Sequence, residues 1–146
     1  MKRREGGFLV SKIHQLSGRI FNKLLKEQGI TFNSAQGRIL FVLWKKDGIP
    51  IKELSEKTQL SKSTLTSMLD RLEKAGHIVR EPSSKDRRVI FVKLTEENKK
   101  LHNTYVQVSR VMIELYYKEF TVEEVEEFEG YLRKVLKNLQ QSEYSH

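Results

Sequence analysis

The chain has 146 residues, enough for one domain with a substantial core, and a second, enzymatic domain is not expected within them. It contains no cysteine, which excludes a disulfide framework and a cysteine-ligated metal site and is compatible with a reducing cytoplasm. The net charge is +8, no apolar run approaches the ~20 residues of a membrane span, and no apolar signal core follows the basic start Met1-Lys2-Arg3-Arg4, so a soluble, cytoplasmic protein without a membrane partner is expected.

The charge is unevenly placed. Residues 1–46 carry 10 Lys and Arg against 2 Asp and Glu, residues 61–93 carry 8 against 4, and residues 94–146 carry 7 against 10. A basic front and a slightly acidic tail point to a polyanionic partner on one side of the fold.

From Phe8 to about Gln28, Leu9, Ile13, Leu16, Ile20 and Leu24 recur at spacings of four and three, the period of an amphipathic helix that Gly29 ends. Its other face carries Lys12, Arg19, Lys23 and Lys26, most simply a solvated surface. Asn33 and Gln36 have the spacing of a capping box for a second helix reaching about Lys46, and Asp47-Gly48-Ile49-Pro50 reads as a turn.

A short helix over Ile51–Thr58 follows, turning Ile51 and Leu54 inward, and the Gln59-Leu60 corner leads to a helix capped by Ser61. There Leu65, Met68, Leu69 and Leu72 fall on one face. At ~100° per residue the opposite face carries Ser63, Ser67, Asp70 and Lys74, flanked by Thr64, Thr66 and Arg71. Short hydroxyls approach base edges closely and cations reach guanines or phosphates, so this face suits a major groove. Two helices joined so tightly cross steeply, as in a helix-turn-helix, the alternative being an ordinary helical hairpin inside a bundle. Gly76 sits where the helix needs a left-handed residue to close it.

After Gly76 the period changes to two: Ile78-Val79 form one strand and Val89–Leu94 another, with Ile90, Val92 and Leu94 on one face. The polar loop between them, Arg80 to Arg88, contains Lys85, Arg87 and Arg88, cations able to follow phosphates or enter a minor groove; a solvated basic loop is the other reading. Thr95 then caps a long helix to about Phe120, through Leu101, Tyr105, Val108, Met112 and Leu115. Thr121 and Glu124 form a capping box for a last helix to about Gln140. These terminal helices carry more apolar stripe than a small head can bury, which suggests a second copy of the chain; a monomeric bundle is the alternative.

The stretch LSEKTQLSKSTLTSMLDRLEKAGHIVR, with Asp86-Arg87-Arg88 and the closing Val92-Lys93-Leu94-Thr95, resembles the MarR (multiple antibiotic resistance regulator) family of winged-helix transcription factors. The resemblance implies a mainly α fold with a small β-wing: a winged helix-turn-helix head (51–76 and 77–94) in a single domain, with dimerisation helices over 8–28 and 95–141. It implies that Arg88 enters the minor groove and that Asp86 orients the wing arginines. DNA contacts are then expected from Ser61, Lys62, Ser63, Thr64, Thr66, Ser67, Arg71, Lys85, Asp86, Arg87 and Arg88. It further implies a homodimeric repressor on double-stranded DNA and a small aromatic or phenolic effector, for which His14, Arg19, Trp44 and Tyr105 are candidates. Sensing through a reactive cysteine is excluded, since the chain has none.

No P-loop, Gly-rich dinucleotide turn, HExxH motif or nucleophile elbow is present, so no catalytic residue, cofactor or metal is expected. His14, His77, His102 and His146 have no metal-ligand spacing. A winged-helix protein-interaction module without DNA binding is the rival class.

Overall fold

The computed structural model describes residues 2–144; His146 lies outside that range. The chain divides into two compact units, the first ending at Arg110 and the second starting at Val111. The first contains α1 (Gly6–Glu27), α2 (Ser34–Lys45), β1 (Ile49–Pro50), α3 (Ile51–Thr58), α4 (Lys62–Lys74), β2 (Ile78–Pro82), β3 (Ile90–Leu94), α5 (Glu96–Lys99) and the first part of α6 (His102–Tyr116). The second contains the rest of α6 and α7 (Val122–Tyr144).

The predicted capping chemistry is present. Asn33 accepts from the Gln36 N–H while the Gln36 side chain accepts from the Asn33 N–H, and Ser61 accepts from the Thr64 N–H at 3.3 Å. Thr121 and Glu124 exchange the same pair of bonds, at 2.8 and 3.1 Å. Gly76 adopts φ +84°, and the next N–H, of His77, closes α4 on the Leu72 carbonyl at 2.9 Å.

Leu65, Leu69 and Leu72 of α4 are fully buried against Leu54, Leu40, Leu43 and Ile39, while Met68 packs at the margin. Each such leucine removes on the order of 1.5–3 kcal/mol of apolar surface energy from water, which is why this face of α4 and not the hydroxyl face turns inward.

Several expectations are corrected. Ile49-Pro50 is not only turn: it pairs antiparallel with β3, Ile49 opposite Val92, making a three-stranded sheet of order β1-β3-β2. Asp47 supports that strand by accepting from the Leu94 and Gly48 N–H groups at 2.9 and 2.8 Å. β2 runs on to Pro82, paired with Ile90, so Arg80 belongs to the strand and the hairpin loop is shorter than expected. Proline is tolerated because β2 is an edge strand. Val92 and Leu94 are buried, but Ile90 is 37% exposed at the loop end of the hairpin, where it pairs with Pro82.

The predicted helix from Thr95 to Phe120 is two helices. The Leu101 N–H bonds to the Asn98 carbonyl, three residues back, a tighter turn that ends α5 before α6 begins. In α1, Leu9, Ile13 and Leu16 are 40–52% exposed, and the one residue buried there is Leu25.

A buried polar network joins the end of α4 to α2 and α5. The Trp44 indole N–H, which can only donate, bonds Asn98 Oδ1 at 2.9 Å. This orientation turns Asn98 Nδ2 toward His77 Nδ1, 2.9 Å away, so the imidazole must accept there and carry its proton on Nε2, facing Thr31 Oγ1 at 3.2 Å. His77 also meets the Phe32 ring edge-on at 5.2 Å.

Around the end of α6, Tyr116, Tyr117, Phe120 and Phe128 form an aromatic cluster. Tyr117 donates to Glu129 at 2.6 Å, and burial together with that carboxylate pushes its pKa up to about 12. No residue of α7 is buried.

Burial holds the His77 pKa below its ordinary value. The neutral form is therefore favoured by folding, so its stabilising contribution is complete above the unfolded value of about 6.5 and is lost as pH falls through the lower folded value. Urea unfolding is expected to show a stability drop from about pH 7 to about pH 5 that is shallower in His77→Asn, which keeps an acceptor but cannot titrate.

Candidate nucleic-acid interface

Side chains on the outer face of α4 line an open concavity formed by Lys62, Ser63, Thr66, Ser67 and Asp70. All are exposed, as are Ser61, Thr64 and Arg71. The cap geometry shapes the front of this face: Ser61 donates to Thr64 Oγ1 at 2.9 Å, and the Thr66 hydroxyl donates back to the Lys62 carbonyl at 2.8 Å. Thr64 and Thr66 are thereby held close to the helix, which leaves short side chains and a shallow profile where a groove wall or base edge would approach.

The wing tip is organised by Asp86. It receives the Arg88 Nε–H and Nη2–H at 3.1 and 3.0 Å, and the Arg88 backbone N–H at 3.0 Å. Ser83 supports the loop by accepting from the Lys85 N–H at 3.1 Å and the Asp86 N–H at 3.4 Å. The Arg88 side chain remains 90% exposed, so it is aimed outward without being buried. The side-chain and backbone bonds from Arg88 hold the Asp86 carboxyl below the usual range, and the carboxylate in turn raises the guanidinium. Arg87, also exposed, makes no bond to Asp86, so the orienting geometry concerns Arg88 alone.

The third part of the site is the root of the wing, which sequence reasoning missed. Arg80 on β2 donates its Nη2–H to Asp70 at 2.6 Å and its Nε–H to Glu73 at 2.8 Å, both on α4. The signal was available as two carboxylates three apart on α4, but pairing them with Arg80 required the strand to fold back along the helix. Lys93 and Glu81 make a further cross-strand pair at 2.8 Å.

Of the four effector candidates, the structure brings Trp44 and Tyr105 into contact. Trp44 and Tyr105 stack at 4.8 Å within a cluster that includes Phe21, Phe32 and His102, and Trp44 is tied to Asn98. Tyr105 lies so close to Gly37 that an added Cβ would sit 3.0 Å from its ring. Tyr105 is buried and Trp44 packs partly buried against the core, whereas His14 and Arg19 are exposed on α1. Among the described residues there is no group of His, Cys, Asp or Glu able to hold a metal ion, and no helix long and apolar enough to cross a membrane.

The MarR family model matches residues 32–90, which contain α2, the helix-turn-helix and the hairpin up to Ile90. The chain is 34% identical over 84 residues to the transcriptional regulator TtmR of Methylorubrum extorquens, covering 58% of this chain and 42% of that protein. It is 32% identical over 95 residues to the organic hydroperoxide resistance transcriptional regulator of Bacillus subtilis, covering 65% of this chain and 63% of that one. The matched stretch thus spans less than two thirds of either relative's length. The fold superimposes with a TM-score of 0.81 on a cysteine-to-serine mutant of MarR from E. coli complexed with operator DNA, at 30% identity over 89% of this chain and 92% of the other. The relatives are named as transcriptional regulators, a non-enzymatic class, and with a winged helix-turn-helix in the same order over nearly the whole chain, the protein belongs to the MarR family.

Proposed function

We propose that the chain is a sequence-specific, double-stranded-DNA-binding transcriptional repressor of the cytoplasm, acting as a homodimer that occludes a promoter. The observation that carries this reading is the joint presentation of an exposed hydroxyl face on α4 and an outward-aimed Arg88 fixed by Asp86, on one winged helix-turn-helix. A major groove admits the first and a minor groove favours the second. Similarity to a MarR structure complexed with operator DNA supports it.

Dimerisation is supported by apolar surface left open. On α1, Phe8, Leu9, Val10, Ile13 and Leu16 are 40–67% exposed; on α7, Val122, Tyr131, Val135, Leu136 and Leu139 are 48–75% exposed. Stripes of this size on long helices are covered in a stable soluble assembly, and a second copy supplies identical stripes at no further genetic cost. Release by a small aromatic or phenolic effector completes the proposal and draws its support from the family resemblance, with exposed His14 and Arg19 as the accessible candidates and Trp44 and Tyr105 engaged only if the core repacks.

Selection of bound sequences from random duplex DNA tests the whole reading. It should return a pseudo-palindrome whose half-sites lie about 10 bp apart, one turn of DNA, and no enrichment over input would end it. Sedimentation without DNA should give twice the chain mass at micromolar protein.

Arg88→Ala should weaken binding to the selected duplex about ten- to a hundredfold, with an unchanged thermal transition because the group is exposed. Fluorescence anisotropy at constant salt reads the affinity.

Helix and wing should separate in their effects. Substituting Ser63, Thr64 or Ser67 should change which bases are preferred, while Lys85→Ala or Arg87→Ala should weaken selected and scrambled duplexes alike and lower the salt slope by about one per phosphate contact.

A further inference from the structure

The segment from Ser61 to Lys93 contains four carboxylates, and each is held by a cation of the same segment: Asp70 and Glu73 by Arg80, Glu81 by Lys93, Asp86 by Arg88. Its other cations, Lys62, Arg71, Lys74, Lys85 and Arg87, make no ion pair among the described residues. Arg80 is distinctive because it holds two acids at once, and one of them, Asp70, lines the concavity on the outer face of α4. Without a counter-ion, two carboxylates three residues apart would set a negative edge beside the surface that a phosphate backbone must approach. Their repulsion acts within a Debye length of roughly 8 Å at physiological salt, the distance scale of a docked duplex.

Resting on the DNA-binding reading above, we propose that Arg80 is a positioning residue for DNA recognition: from the root of the wing it offsets half of the negative charge of Asp70 and Glu73 and draws both carboxylates toward itself, so that α4 presents a surface phosphates can approach, without itself touching DNA. The geometry fits that role and not a direct contact. Its Nε and Nη2 are both turned to α4 carboxylates, and its side chain is only 25% exposed, against 90% for Arg88. Burial opposes its charge, but the bonds to Asp70 and then Glu73 outweigh this and keep the guanidinium more firmly protonated than an ordinary arginine. The same two bonds pin β2 along α4, so helix and wing dock as one body.

Charge masking and mere bracing are separable by removing the charges that Arg80 masks. Arg80→Gln should lose about tenfold or more in affinity for the selected duplex and for a scrambled one alike, because repulsion of phosphate is blind to sequence. Adding Asp70→Asn and Glu73→Gln to that variant should return non-specific affinity to within a fewfold of the parent, although the Arg80 brace is gone. If Arg80→Gln does not stay folded in a thermal melt, Asp70→Asn with Glu73→Gln in the presence of Arg80 makes the same test, and should bind the scrambled duplex at least as tightly as the parent. The inference is overturned if Arg80→Gln binds like the parent, if the triple variant stays as weak as the single, or if the double variant is weaker than the parent. Failure of the unaltered protein to bind any duplex would instead overturn the regulator reading, and this inference with it.

Discussion

The amide of Asn98 has one orientation open to it, and the anchoring of the end of α4 depends on that constraint. An indole N–H cannot accept, so Trp44 claims the oxygen; the nitrogen is then left for His77, whose imidazole must be neutral and protonated on the far side. Asn98 is fully buried, and among the described residues no buried side-chain polar atom lacks a partner. Turning the amide over would strand two groups at about 1–3 kcal/mol each, so the arrangement is effectively single-valued. His77 follows the glycine that closes α4, and Thr95, which caps α5, donates to the Gly76 carbonyl at 2.7 Å. The end of α4 is thus tied to α2 and α5 by directional bonds, while its leucines supply the non-directional part of the grip.

The ion pairs of the wing belong to a different account. Exposed pairs are worth little to folding, since water screens them and ordering long side chains costs entropy. Their consequence is geometric and electrostatic. Asp86 spends its charge on holding Arg88 in one direction, which reduces the rotamer freedom that a bound arginine would otherwise lose. Arg80 spends its own on the acids of α4. What remains unpaired is a set of cations, Lys62, Arg71, Lys74, Lys85 and Arg87, spread over the helix and the wing.

The open apolar stripes have a compositional origin. A helix-turn-helix head buries one face of each of its short helices and is then full, as the fully buried leucines of α2, α3 and α4 indicate. The outer turns of α1 and much of α7 beyond the Phe128 cluster repeat the helical apolar period and stay largely exposed, and α7 has no fully buried residue. An apolar stripe at helical period on a helix with no fully buried residue is the observation that supports the dimer proposed above.

Local information determined most of the elements. The boxes at Asn33 and Thr121, the cap at Ser61, the glycine at position 76 and the leucine spacing of α4 all act within four residues, so they are legible in the order of residues alone and were found where expected. The outer face of α4 followed from the same spacing, because knowing which side is apolar defines its opposite. Tertiary structure decided the rest. The strand at Ile49-Pro50 exists only because Val92 and Phe91 come to lie beside it, and two residues are too few to show a period. The helix after Thr95 breaks where a buried asparagine answers a tryptophan 54 positions earlier. The ring partners of Trp44 and Tyr105 come from distant segments and could not be read from spacing, and Arg80 read as a loop cation until β2 folded back along α4. Spacing along a chain fixes which side of a helix or strand a residue occupies, but a hydrogen bond or ion pair between distant segments is set by how those sides meet, and that is a property of the packed core.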